Sequence, residues 1–286
     1  MLSQIYRNKL VIGGAQLGNR YGITNNKKLS IQESIKILNF AKRKNINFID
    51  LADSYKSQNR LKINQLNKFN IIFKFHFKKK EIEEKKIKKR IYDIHKKLNI
   101  KNFYCILLHD TMNYNNNELD IIFRSFYFLK KNNIVKNIGF STYGTKFINK
   151  IISKYKIDVI QTTFNIFDNR ILDEKIFSKI KKKKILLHIR SIFLQGVLLT
   201  RQRKVPEKLK NYKKYFSTWY KFLELNKLKA LNTCVNLALN QNFDKVIIGV
   251  NSISELKEIL KVKKIKLKKQ INLFNNKTSL INPYEW

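Results

Sequence analysis

Prolines number two and glycines eight in a chain of 286 residues. No stretch rich in proline, glycine or serine divides it, so no flexible linker is expected, and one domain over residues 1–286 is. Cysteines also number two. Cys105 falls on a predicted strand and Cys234 on a predicted helix, far apart in sequence. That spacing argues against a disulfide framework and a thiolate metal site, and no metal is expected. It predicts packed, reduced thiols in a cytoplasmic protein. No apolar run approaches the roughly 20 residues of a membrane span, so none is expected. The opening MLSQIYRNKLVIGGAQLG has too short an apolar stretch to read as a signal peptide. No GxGxxG opens a helix either. The glycines of GGAQLGNRYG, at positions 13, 14, 18 and 22, do not fit that fingerprint and read as a strand end and loop.

Acidic residues are scarce as well: 20 against 60 basic ones, for a formal charge of +40. Such a charge suggests nucleic acid or an anionic membrane. The kind and placement of the cations suggest something else. Arginines number only 10, whereas a phosphate-reading surface concentrates arginine for its bidentate fork. Lysines run through every predicted helix, as in IEEKKIKKRIYDIHKK. Lysine, asparagine and isoleucine, all abundant here, share AT-rich codons. The charge is therefore read as a compositional bias, with no specific nucleic-acid partner and no membrane. The sequence does not address the oligomeric state.

What is present is a regular alternation. Short apolar runs occur at 9–14, 46–50, 70–75, 103–108, 136–141, 158–163, 185–190 and 245–250. Helical patterns separate them: Ile31, Ile35, Ile37, Leu38 and Ala41 recur at helical spacing, as do Leu119, Ile122, Phe123, Phe126 and Leu129. Ser30 and Ser252 are candidate helix caps. Repeated strand–helix units require parallel neighbours. Eight such units fit a single-domain α/β fold, the (β/α)8 TIM barrel. An open doubly wound sheet is the alternative, weakened by the missing glycine fingerprint.

In a barrel, chemistry gathers where the strands end at their C-termini. Asp50 is expected to end the second strand, Lys74 lies near the end of the third, and His109 follows the fourth. Tyr55 lies on the loop after the second. A lysine inside NIIFKF would be costly to bury alone, and Asp50 on the neighbouring strand is a natural partner. Their pair would hold an ammonium beside the Tyr55 phenol, lower its pKa and make it a better proton donor near neutrality. His109 could bond the same substrate oxygen. Each residue also has a plainer reading: Asp50 as a turn cap, Tyr55 as rim packing, Lys74 as one lysine among many. The other histidines, His76, His95 and His188, lack a matching set of partners.

These segments resemble the aldo-keto reductase family over nearly the whole chain, including members of surface-carbohydrate pathways. FIDLADSY resembles the family's F-D-T-A-x-x-Y. The lysine of IIFKF, the histidine of ILLHD, and then NIVKNIGFST, VIQTTFNIFD, LLHIRSIFLQGVLL and VIIGVNSISEL follow in family order, down to the closing NPYEW. The resemblance implies a (β/α)8 barrel that reduces the carbonyl of a small aldehyde, ketone or sugar. It implies an extended nicotinamide cofactor, usually NADPH, and a catalytic tetrad of Asp50, Tyr55, Lys74 and His109. It further implies Ser141 at the nicotinamide carboxamide, with Gln161 and Asn165 nearby. Ser191 and Gly196 would lie by the pyrophosphate, and the segment from Gly249 to Ser252 by the adenosine phosphate.

The chain departs from the family pattern at several places. Lys56 and Asn59 stand where the family usually has glycine and glutamate, and Thr142 replaces the asparagine that usually follows Ser141. Arg190 stands where many members stack an aromatic ring on the nicotinamide; its planar guanidinium can also stack. Glu255 occupies a position that often holds arginine or glutamine in NADPH-specific members, which leaves NADH open as the donor. The basic segment 201–220 reads as a cofactor clasp or substrate wall, or else as a solvated basic insertion. A non-catalytic cofactor-binding sensor or subunit with the same fold is the first alternative to an enzyme, and a basic nucleic-acid-associated protein is the second.

Overall fold

In a computed structural model that describes residues 2–18, 21–23, 28–55, 61, 63–200, 205–265, 273 and 278–286, eight strands pair in sequence order and close on themselves. They are β1 (Leu10–Gly13), β2 (Phe48–Ala52), β3 (Asn70–Phe75), β4 (Phe103–His109), β5 (Val135–Ser141), β6 (Val159–Thr163), β7 (Leu186–Arg190) and β8 (Lys245–Ile248). Every pairing is parallel, including β8 back to β1. The wrapping helices are α1 (Ile31–Arg43), α2 (Glu84–Leu98), α3 (Asn116–Lys131), α4 (Ile148–Lys154), α5 (Glu174–Lys182), α6 (Lys213–Leu225), α7 (Ala230–Leu239) and α8 (Ile253–Lys261). This is the single-domain (β/α)8 barrel that the alternation predicts, and the open sheet is excluded. The crossover from β2 to β3 is the thin one, with only the short helical turn Ile63–Leu66 among its described residues.

The helix starts follow from the sequence. Ser30 and Asn115 each close a reciprocal capping box, with Glu33 and Glu118, and Ser252 accepts the Glu255 N–H. These bonds satisfy N–H groups that a helix start leaves free. The ends show what glycine scarcity entails. Where a helix must turn sharply into the next strand, the left-handed position falls to Asn45, Asn99, Asn133 and Lys184. Asparagine tolerates that conformation better than other residues with a side chain.

Two faces of the sheet feed separate cores. Outward residues such as Ile49, Phe73, Ile106 and Ile160 pack under the helices with Ile122, Phe123 and Phe126 of α3. Inward residues Val11, Ile72, Cys105, Leu107, Val159 and Ile247 fill the barrel. The period of two that puts Ile72 inside does the same for Lys74, and that of Cys105 and Leu107 for His109. Gly139 of β5 is fixed by this packing. A Cβ there would stand 1.8 Å from the Val159 carbonyl oxygen of the adjacent strand. Gly139→Ala is expected to destabilise the fold by about 3 kcal/mol or more, since backbone cannot move aside as a side chain can. Denaturant unfolding of the variant checks this.

A third cluster lies beside the barrel, and it decides part of the reading of 201–220. Phe216 and Trp219 of α6 are fully buried with Phe167, Leu194 and Leu280. The Trp219 indole N–H donates to the Leu198 carbonyl at 3.1 Å. The α6 part of the segment is therefore packed structure rather than a solvated insertion. Residues 201–204 of it lie outside the described residues.

Candidate active site

The inner face of the sheet changes from apolar to polar toward the C-terminal ends of the strands. β2 continues two residues beyond the expected end, so Asp50 lies within it, and Ala52 pairs with Lys74. The Tyr55 N–H then donates to the Ala52 carbonyl at 2.9 Å. That tight turn brings the phenol back over the barrel mouth and accounts for the five-residue spacing from Asp50. The Asp50 carboxylate does not cap the turn. It accepts from the Lys74 ammonium in a short contact and from the Gln161 amide at 2.8 Å. Gln161 in turn accepts from the Ser141 hydroxyl at 3.3 Å. Lys74 and Asp50 are only 1% and 3% exposed, so this pair stands in the interior and its remaining lone pairs are met by Gln161.

The Lys74 ammonium lies 5.1 Å from the centre of the Tyr55 ring. Sequence reasoning expects it to lower the phenol's pKa; the structure gives the opposite direction. Burial, then the Asp50 charge, push the Tyr55 phenol well above its ordinary value. Desolvation of the phenolate is the larger cause, and the Asp50 carboxylate acts in the same direction. Burial also lowers the Lys74 pKa, against the pull of Asp50. His109, the last residue of β4, pairs in register with Ser141. Burial and the charges of Lys74 and Arg190 drive its pKa down to about 2, so the imidazole is neutral at any ordinary pH. His188 is buried inside the barrel, its ring nearly parallel to that of Tyr104, and belongs to the core.

Arg190 ends β7. Its guanidinium lies 4.0 Å from the centre of the Tyr143 ring and donates to the Thr142 carbonyl at 3.3 Å. Burial opposes its charge, but Tyr143, Tyr21 and Tyr55 outweigh burial and raise its pKa. After Arg190 the backbone is strained: Ser191, Leu194 and Gln195 all adopt positive φ, at 64°, 46° and 52°, followed by Gly196 at 92°. Such clusters gather at functional loops. The side chain of Asn165 braces this loop by donating to the Ser191 carbonyl at 3.2 Å and accepting from the N–H groups of Phe167 and Asp168.

A cleft of about 590 Å³ starts at Tyr55 and Asp50, passes Arg190, Ser191 and Gly196, and reaches Gly249, Asn251 and Glu255 at the start of α8. The structure thus brings Asp50, Tyr55, Arg190, Ser191, Gly196 and Gly249 to one cleft. Lys74, Ser141, Gln161 and Asn165 are buried beside it, and Ser252 serves as the cap of α8. Sequence reasoning missed Gln16, Tyr21, Tyr143 and Glu258. Tyr21 and Glu258 line the cleft, as does Gln16, whose amide lies where a Cβ on Gly249 would fall. Tyr143 holds Arg190. Only Tyr21 and Tyr143 carried a signal, as aromatic residues within loops that follow strands. Lys56 and Asn59 lie outside the described residues.

The chain is thus a closed (β/α)8 barrel with a buried Lys–Asp pair next to a tyrosine that lines a cleft at the C-terminal ends of the strands. The chain belongs to the aldo/keto reductase family, whose sequence profile matches residues 9–273. No curated protein matches it significantly. Among solved structures it is similar to an aldo-keto reductase of Bacillus halodurans in its holo form, with 18% identity, a TM-score of 0.73, and coverage of 93% of this chain and 90% of that one. It is also similar to the glycerol dehydrogenase of Gluconobacter oxydans, with 15% identity, a TM-score of 0.67, and coverage of 90% and 88%. At these identities the likeness shows the fold.

Proposed function

We propose that the protein is a cytoplasmic, nicotinamide-dependent carbonyl reductase in which Tyr55 is the general acid. The observation that carries this reading is the buried Lys74–Asp50 pair under the Tyr55 ring, beside a cleft of about 590 Å³ that Tyr55 and Asp50 help to line. The residues fit such a cofactor. Ser191, Gly196 and Gly249 line the cleft where the resemblance places the phosphates, and Ser141 and Gln161, bonded to each other and buried next to Asp50, stand where it places the carboxamide partners.

A dinucleotide held there would supply the hydride for the carbonyl carbon. Tyr55 gives its hydroxyl proton to the carbonyl oxygen. The Lys74 ammonium stabilises the phenolate left behind, which matters most after the proton has moved, because the resting phenol is held protonated. Asp50 keeps Lys74 charged and in place, and Gln161 fixes the second Asp50 oxygen. Neutral His109 donates a hydrogen bond to the same carbonyl oxygen and orients it. Arg190 flanks the nicotinamide position as a planar cation.

The substrate class is a small aldehyde or ketone, with a sugar favoured by the R-S-x-F-L-Q-G run at Arg190–Gly196, which here forms the strained wall of the cleft. The likeness to a glycerol dehydrogenase is in keeping with a polyol or sugar carbonyl. NADPH is the donor the family resemblance favours. Absorbance at 340 nm with NADH and NADPH, against a panel of short aldehydes, ketones and aldoses, tests the reading. Turnover with at least one of them is expected. Cofactor binding with no turnover on any would replace it with the sensor reading.

A further inference from the structure

We infer that the end of the barrel away from the cleft carries a second binding site, built for a small phosphate monoester with an apolar body. This site is independent of the reading of the cleft. It is a pocket of about 340 Å³ beside the last turns of α1 and α8. In a (β/α)8 barrel the helices end at the face opposite the active-site loops. That volume falls at the small end of the range for ligand pockets, roughly 300–1,000 Å³. Four of its seven described lining residues are cations, Arg7, Lys44, Lys257 and Lys261, and none is an acid. Basic residues are 60 of 286 in the chain as a whole, so the pocket exceeds even this compositional bias.

Bias spreads lysines over open surface, but it does not place an arginine donor inside. The Nε of Arg7 is buried with no hydrogen-bond partner, a state that buried donors rarely keep. An anion in the pocket supplies the acceptor. The Lys44 and Lys257 ammoniums both lie 5.7 Å from the centre of the Phe40 ring, so two like charges meet at one ring. None of the four cations forms an ion pair among the described residues. The ends of α1 and α8 offset little of this charge, since each contributes only about half a negative unit. Concave, low-dielectric walls focus what remains. The floor is apolar: Leu2, Phe40 and Leu260 are buried, and the Leu2 N–H donates to the Leu260 carbonyl at 2.9 Å. A phosphate monoester carries about −1.5 to −2 charges at pH 7 and three acceptor oxygens, which suits several cations better than a carboxylate does. Its ester group must be apolar, because hydroxyls laid on this floor would go unpaired.

Calorimetry with phenyl phosphate on the intact protein, at about 150 mM salt, tests the inference. Phenyl phosphate is expected to bind more tightly than inorganic phosphate, and phenol is expected not to bind. Affinity is expected to fall about tenfold or more in Lys44→Gln/Lys257→Gln and, separately, in Arg7→Gln. Lys175→Gln/Lys182→Gln removes the same charge from exposed positions of α5 and is expected to leave affinity within about twofold. Lys44 and Lys257 are exposed, so that variant keeps the test open if a thermal melt shows Arg7→Gln unfolded. Phosphatidic acid carries the same monoester on a lipid. Sedimentation with phosphatidylcholine vesicles that contain it, lost in Lys44→Gln/Lys257→Gln, would support the site with a lipid-borne ester; binding of phenyl phosphate without sedimentation supports it with a free one. The inference is overturned if neither ester binds, if inorganic phosphate binds as tightly as phenyl phosphate, or if the pocket variants bind no worse than the α5 variant.

Discussion

Tyr55→Phe is expected to lower carbonyl reduction by about a hundred- to ten-thousand-fold while leaving cofactor affinity within about twofold. The substitution removes one oxygen and keeps the ring that lies 5.1 Å from the Lys74 ammonium. Packing on the turn after β2 and the cation–ring contact both survive, so the loss reads proton donation rather than folding. The pH profile supplies a second readout. Burial holds the Tyr55 phenol protonated well beyond the range of a free phenol, and His109 stays neutral down to about pH 2. A donor whose pKa is raised loses its proton only at higher pH, so the wild-type kcat/KM is expected to stay level from about pH 6 to 9. An alkaline fall with a midpoint near 7 or 8 would instead mean that Lys74 acidifies the resting phenol. If Tyr55→Phe retained full activity, another group would have to be the donor.

The barrel was legible because parallel strands buried on both faces read as unbroken apolar runs, and eight of them recur at regular spacing. Strand ends were less legible. Asp50 looks like a strand terminator by residue type, yet β2 continues to Ala52 because Lys74 and Gln161 satisfy the carboxylate inside the barrel. The buried partnership of Gln161 with Asp50 spans 111 residues, and no local pattern encodes it. The lysines of the α6 segment left a solvated insertion open as one reading, although Phe216 and Trp219 are buried on its other face. The direction of the Tyr55 pKa was unreadable for a different reason. It depends on how deeply the fold buries the phenol and how near it brings the Asp50 carboxylate, which no local pattern states. Glu258 has no motif; only the fold of α8 brings it to the cleft.

Lys74→Met is expected to cost about 3–5 kcal/mol of stability and to abolish turnover, because it leaves the Asp50 carboxylate buried with only the Gln161 amide as partner. Asp50→Asn should fail differently. Burial already lowers the Lys74 pKa with Asp50 in place. Without that carboxylate the amine loses its main stabilising charge, and its pKa is expected to fall further, toward the neutral form. A neutral amine cannot stabilise the Tyr55 phenolate, so activity falls even where the fold survives. The Asp50→Asn/Lys74→Met double variant separates the two roles. Removing both charges together leaves no unpaired ion in the barrel, so stability is expected to return to within about 1–2 kcal/mol of wild type, while activity does not return. Denaturant unfolding and single-turnover rates on the four proteins give the cycle. Activity that recovered together with stability would make the pair a purely structural clamp. Stability additive across the two sites would mean that their charges do not interact, which a shared buried contact forbids.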